Sequence, residues 1–130
     1  IALLRGRGVR LSLSDGTKLD VVQAGEILTF SGDLQVEAVL VDGPVQVVNL
    51  MHPFPSACRL KAVGAPGVQG VDVPCGAALV CARGRWSFEG TSGQEGIWRE
   101  GDVLVLPDEV KGTLRSEVGS DALLYVVIPD

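Results

Sequence analysis

Thr29-Phe-Ser-Gly-Asp-Leu-Gln-Val-Glu-Ala-Val-Leu-Val-Asp-Gly-Pro-Val-Gln-Val-Val-Asn-Leu-Met51 carries two predicted strands and the turns that bound them. A β-run closes on the turn Ser31-Gly32-Asp33, and an alternating strand follows from Leu34 to Leu40. Leu34, Val36, Ala38 and Leu40 are expected to face inward, with Gln35 and Glu37 outward. Asp42-Gly43-Pro44 turns the chain into a second apolar strand, Val45 to Met51. Val45, Val47, Asn49 and Met51 share one side of that strand, so Asn49 reads as an amide on a face of valines.

Working outward, the same grammar repeats. Val9, Leu11 and Leu13 alternate with Arg10, Ser12 and Ser14, and Ser14-Asp15-Gly16-Thr17 is a hairpin turn. Leu19 to Val22 and Ile27 to Phe30 are predicted strands. Past the stretch, His52 to Ser56 carries two prolines and breaks the pattern. Cys58, Leu60 and Ala62 alternate with Arg59 and Lys61, and Gly64 to Gly70 reads as a loop. From Ala77 strands are expected at Leu79–Ala82, Trp86–Glu89, Gly96–Glu100, Val103–Leu106, Gly112–Glu117 and Ala122–Ile128. No segment sustains an apolar period of 3.6, so little or no helix is expected.

A shift of 76 positions lays the second passage on the first. Arg7-Gly8 falls on Arg83-Gly84, Gly25-Glu26 on Gly101-Asp102, Gly43 on Gly119, Asp33 on Glu109, and Asn49 on Tyr125. Three glycines in register between matching apolar runs indicate a duplication. The predicted architecture is all-β: a double-stranded β-helix in two jelly-roll-like copies, a bicupin. Its expected parts are residues 1–51 as the first repeat, 52–76 as a connecting strand and loop, and 77–130 as the second repeat. The chain opens at Ile1 inside an apolar run, so the first repeat is expected to lack its beginning.

Composition narrows the function. The 130 residues carry a net charge of −5, and no basic patch of the kind nucleic-acid backbones require is visible. No apolar run reaches the roughly 18 residues of a membrane span. Three cysteines, Cys58, Cys75 and Cys81, show no Cys-x-x-Cys spacing and read as buried free thiols of a reducing cytoplasm. His52 is the single histidine. The two or three histidines of the usual cupin metal site are therefore missing, and neither a metal nor another cofactor is expected. No local motif joins His52 to a cysteine for nucleophilic catalysis. Asp108-Glu109, Glu117 and Asp121 read as solvent-facing carboxylates, and Gly6-Arg7-Gly8 lacks the following helix of a phosphate loop. Trp86, Phe88 and Trp98 read as packing, and Arg5, Arg7 and Arg10 as a solvated face. Asn49, with Tyr125 at the related position, remains as a hydrogen-bonding tip on an apolar face. Internal satisfaction by a turn carbonyl competes there with a ligand at a barrel mouth.

Phe30-Ser31-Gly32-Asp33, Leu40-Val41-Asp42-Gly43-Pro44-Val45 and Asn49-Leu50-Met51 together resemble the HutD/Ves family. Leu3-Leu4-Arg5-Gly6-Arg7-Gly8-Val9 is similar to the strand that precedes them there. The likeness is good over residues 1–51 and follows the pattern only beyond. The resemblance implies an RmlC-like bicupin without catalytic metal, in the bacterial cytoplasm, linked to histidine utilisation or, in the Ves branch, to stress responses. It also implies a small carboxylate ligand such as urocanate or formate, with Phe30, Asp33, Asn49 and Met51 forming or supporting the pocket. Gln46-Val47 replaces the family's Arg-Asp pair, His52-Pro53-Phe54 stands where an arginine is usual, and the family's N-terminal segments are absent. A non-enzymatic ligand-binding role is thus preferred. The alternatives are a cupin-type isomerase, a carboxylate-bound metalloenzyme, or a purely structural interaction domain. Edge strands leave room for a homodimer.

Overall fold

A computed structural model describes residues 1–53, 58–64, 70–117 and 121–129. The expectations placed on Phe54–Ser56, on most of the 64–70 loop and on Gly119 therefore lie outside the described residues. The chain divides into two compact units, Ile1–Met51 and His52–Asp130. The described residues form thirteen strands and contain no helix.

The first unit holds β1 (Ala2–Arg5), β2 (Val9–Leu13), β3 (Lys18–Val21), β4 (Val36–Leu40) and β5 (Gln46–Val48). β1 pairs with β5, and β3-β2-β4 form a second antiparallel sheet. The β2–β3 hairpin forms as its Asp-Gly turn dictates. Gly16 takes a φ of 90°, the Thr17 N–H donates to Asp15 Oδ1 at 2.9 Å, and Leu13 N–H reaches Thr17 O at 2.8 Å. That bond holds the Asp15 carboxyl below its ordinary pKa. Alternation buries Val9, Leu11 and Leu13, and Leu3, Val9, Leu11 and Val21 make the core with Phe30 and Val45 against it.

Two expectations fail in this unit. Ile27–Phe30 is not a strand; only Ile27 bridges, to Ala2. In β4, the register sets Val36, Ala38 and Leu40 opposite Leu13, Leu11 and Val9, which is the core face. Yet every β4 residue is exposed, Leu40 by 53%. The parity was right, but β4 is an edge strand, and the described residues cover neither its outer flank nor that end of its face.

The second unit holds β6 (Cys58–Gly64), β7 (Val71–Val73), β8 (Ala78–Arg83), β9 (Arg85–Gly90), β10 (Glu95–Arg99), β11 (Val103–Val105), β12 (Gly112–Ser116) and β13 (Leu123–Pro129). They form two four-stranded antiparallel sheets, β10-β9-β12-β7 and β11-β8-β13-β6, which do not close into one barrel. Taken in chain order, this interleaving is that of an eight-stranded jelly roll. Val71–Val73 was not anticipated as a strand, because three residues between a loop and a Pro-Cys-Gly turn are too short for alternation to register. β6 and β7, both from the 52–76 segment, complete the sheets by pairing with β13 and β12.

Both sheets send alternate residues into one core. Trp86 and Phe88 come from β9, Leu114 from β12, Leu79 and Cys81 from β8, and Leu124 and Val126 from β13. Each large side chain buried here contributes about 1.5–3 kcal/mol. Phe88 and Trp98 meet edge to face, with centroids 5.6 Å apart and planes at 84°. Gly112 leaves the space for this packing, since a Cβ there would lie 2.6 Å from the Phe88 ring.

Candidate functional site

The described residues that enter the core of the second unit are apolar, and the polar residues of its strands stand on the outer surfaces. A depression of about 480 Å³ lies there, lined by Arg85, Trp86, Ser87, Ile97, Arg115, Ser116 and Glu117. Strand alternation builds it. Arg85 and Ser87 occupy the β9 positions that face away from the core, because Trp86 and Phe88 take the inward ones. Pairing then places Arg115 of β12 opposite Ser87, and Ile97 of β10 on Ser87's other side. One row across three strands therefore reads isoleucine, serine, arginine. The Ser87 hydroxyl lies 3.5 Å from the Arg115 carbonyl, a contact at the limit of hydrogen bonding.

Charge at this surface is unevenly committed. Arg85 Nη1 sits 3.4 Å from Glu117 Oε1, and the Glu117 N–H donates to Arg85 O at 3.2 Å. The Arg115 guanidinium enters no ion pair among the described residues. Beside it stand a serine hydroxyl and Ile97, which is 57% exposed. An uncommitted planar fork, a hydroxyl and a greasy flank suit a small planar carboxylate, because arginine binds that group in bidentate fashion.

The residues singled out from sequence are not brought together in this way. Phe30 is half-buried against the first unit's core. Asp33 is exposed in its turn, its N–H 3.4 Å from Ser31 Oγ. Asn49 is not buried: β5 ends at Val48, so Asn49 and Met51 leave the strand, and Met51 is 82% exposed. Tyr125 belongs to the second unit and is fully buried. It alternates with Leu124 and Val126, so its side chain leaves on the face away from that core, beside Val80 and Ala62. Arg85, Ser87, Ile97 and Arg115 were missed. Their signal was available in the outward set of the Trp86–Glu89 and Gly112–Glu117 strands, but polar residues on outward positions are the ordinary solvated face.

No group of three or more histidine, cysteine, aspartate or glutamate side chains able to hold a metal occurs among the described residues. His52 is exposed, with Nδ1 3.5 Å from the neighbouring Pro53 O. Cys58, Cys75 and Cys81 are free thiols, the first two half-buried and the third buried. Burial, followed by the nearby Asp102 and Glu100 carboxylates, pushes the Cys81 thiol up to about 11, while Sγ faces the Arg83 and Gly84 carbonyls at 3.7 and 3.6 Å. A disulfide-exchange reagent at neutral pH is accordingly expected to label Cys58 and Cys75 in the native protein and Cys81 only after unfolding. Rapid labelling of all three would contradict this. Because the folded thiol holds its proton more tightly, its contribution to stability is full below pH 9.0 and is lost as the pH rises through about 11.

These features define an all-β protein with a jelly-roll unit, an apolar core and an arginine-bearing outer surface. Its sequence matches the HutD family over residues 1–124, and the chain belongs to that family. No curated protein matches it. Among solved structures it is similar to the conserved protein of unknown function PA5104 from Pseudomonas aeruginosa PAO1, with a TM-score of 0.75 at 20% identity over 99% of this chain and 68% of that one. Looser likenesses, each with a TM-score of 0.46, are a cupin-2 domain containing protein from Shewanella frigidimarina at 13% identity and the Cnp3 cupin domain of Schizosaccharomyces pombe at 15%. The first covers 63% of this chain and 78% of its own, the second 80% and 81%. No helix among the described residues is long and apolar enough to cross a membrane.

Proposed function

We propose that this HutD-family chain is a non-catalytic, metal-independent bicupin that binds a small carboxylate such as urocanate or formate. It acts in the cytoplasm as a governor of histidine utilisation. The observation that carries the reading is the uncommitted Arg115 guanidinium beside Ser87 and Ile97 on the outer face of β9, β10 and β12. The carboxylate lies against Arg115, and an unsaturated or ring-bearing tail lies along Ile97. The bicupin part is supported by a shared order of pairings. β1 pairs with β5 and bridges to Ile27 as β8 pairs with β13 and β11, and β2 pairs with β3 and β4 as β9 pairs with β10 and β12.

Titration calorimetry with urocanate, formate and histidine tests the reading. Urocanate is expected to bind, and Arg115→Gln to weaken it about tenfold or more, the worth of a charge-assisted bond. Glu117→Gln is expected to tighten binding, because it releases Arg85 from its ion pair. Absence of heat with all three compounds, or an Arg115→Gln variant that binds as well as the parent, would overturn it. Binding should also fall with added salt, since the surface is open to solvent.

A further inference from the structure

The outer face of β10-β9-β12-β7 is sorted by charge along its strands. Its outward side chains fall in rows, because pairing sets Arg99 opposite Arg85, Ile97 opposite Ser87 and Glu95 opposite Glu89. On the other side of β9, Arg115 stands opposite Ser87 and Thr113 opposite Glu89, and the Glu117 N–H bond to Arg85 O carries the ladder one position further. Thr113 in turn pairs with Asp72 of β7, whose Oδ1 accepts the Thr113 hydroxyl at 3.0 Å. The rows therefore read Arg99-Arg85-Glu117, then Ile97-Ser87-Arg115, then Glu95-Glu89-Thr113-Asp72. Arginines occupy one end of the face, and the carboxylates of Glu95, Glu89 and Asp72 the other. The depression at Arg115 spans the first two rows on β9 and β12, but on β10 it takes in only Ile97. Arg99 stands at the remaining corner, one outward position beyond Ile97. Its backbone N–H donates to Asp102 Oδ2 at 2.9 Å, and its guanidinium enters no ion pair among the described residues. Like charges directly opposite one another destabilise a ladder, and Glu117 offsets only the Arg85 member of the Arg99–Arg85 pair. An anion at Arg99 would remove the rest of that cost.

We infer that this surface takes a dicarboxylate, with one carboxylate on Arg115, the other on Arg99, and the chain between them lying over Ile97. The inference rests on the carboxylate site proposed at Arg115 and extends it by naming the second group that the ligand carries. Arg115 and Arg99 are two strands and one outward step apart, about 10 Å across the sheet and about 7 Å along it. Ser87 and Ile97 intervene, so the two guanidinium forks suit two spaced anionic groups better than one phosphate. Both arginines are exposed, and their side chains are long enough to lean over Ile97 and meet a short chain. That chain covers the exposed isoleucine, which adds apolar burial to the two charge-assisted contacts. The acidic row repels the ligand from the far end of the face, which fixes the direction in which it lies.

Titration calorimetry at fixed low ionic strength, with glutarate and with valerate, its monocarboxylate of equal chain length, tests this. Glutarate is expected to bind about fivefold or more tightly than valerate. Arg99→Gln should bring glutarate down to the level of valerate and leave valerate unchanged, whereas Arg115→Gln should weaken both. Lys61→Gln removes the same charge from an exposed position on β6, in the other sheet, and should preserve the ratio. Glutarate that binds no tighter than valerate overturns the inference. So do an Arg99→Gln variant that keeps the parent's preference, and inorganic phosphate that binds more tightly than glutarate. In those cases the Arg115 site itself stands if Arg115→Gln still weakens valerate. Valerate binding that ignores Arg115→Gln, or no heat with either acid, overturns the site and the inference together.

Discussion

Replacing Trp86 by alanine is expected to destabilise the second unit by about 3–5 kcal/mol, the range for deleting a large aromatic side chain from a close-packed core. Trp86 is fully buried, and its neighbours come from both sheets. Those neighbours are strand residues held in ladders, so they cannot collapse into the space left behind. The contrasting variant is Trp86→Phe. Trp86 Nε1 is buried and has no hydrogen-bond partner among the described residues. An orphaned donor costs about 1–3 kcal/mol, so removing it offsets much of the lost packing. Trp86→Phe should therefore cost well under half of what alanine does. Urea unfolding followed by far-ultraviolet circular dichroism measures both. An alanine variant within 1 kcal/mol of the parent would contradict the packing described here.

Gly8→Ala is the second large effect, in the first unit. Gly8 has a φ of 114°, where side chains are strained, and a Cβ there would lie 2.7 Å from both the Val21 carbonyl oxygen and Val22 Cγ1. The chain needs this close approach to swing from β1 into β2, and the Gly8 carbonyl also accepts the Val41 N–H bond that fixes β4. Backbone strain and overpacking together should cost about 2–4 kcal/mol. Gly16→Ala provides the control for strain alone, since its φ is 90° but nothing lies within 4 Å of its Cβ position. Gly8→Ala should melt at a clearly lower temperature than Gly16→Ala. Equal melting temperatures would show that the contacts at Val21 and Val22 give way freely.

Much of the fold was legible because alternation is a local property. Val9–Leu13, Trp86–Glu89 and Gly112–Glu117 show their inward faces residue by residue, and Asp15-Gly16 announces its hairpin. What alternation does not reveal is whether anything covers the face it defines. Val36, Ala38 and Leu40 have the parity of a core strand and the exposure of an edge. Asn49 falls outside β5, which ends at Val48, three residues before the end at Met51 that the apolar pattern suggests. Tyr125 shows the reverse limit: β13 is buried at Leu124, Tyr125 and Val126, on both of its faces, which alternation does not announce. The candidate site was least legible of all. It is a juxtaposition of Ser87, Ile97 and Arg115 across three strands, and the register that makes it is a long-range property of the sheet.

Chemical-shift mapping with urocanate reports where a carboxylate sits as well as whether it binds. Saturable shifts are expected at Arg85, Ser87, Ile97, Arg115 and Ser116, with the amides of the core residues Leu79, Leu124 and Val126 unmoved. Shifts centred on those core residues, or on Asn49 and Met51 with the Arg115 surface silent, would contradict carboxylate binding at Arg115.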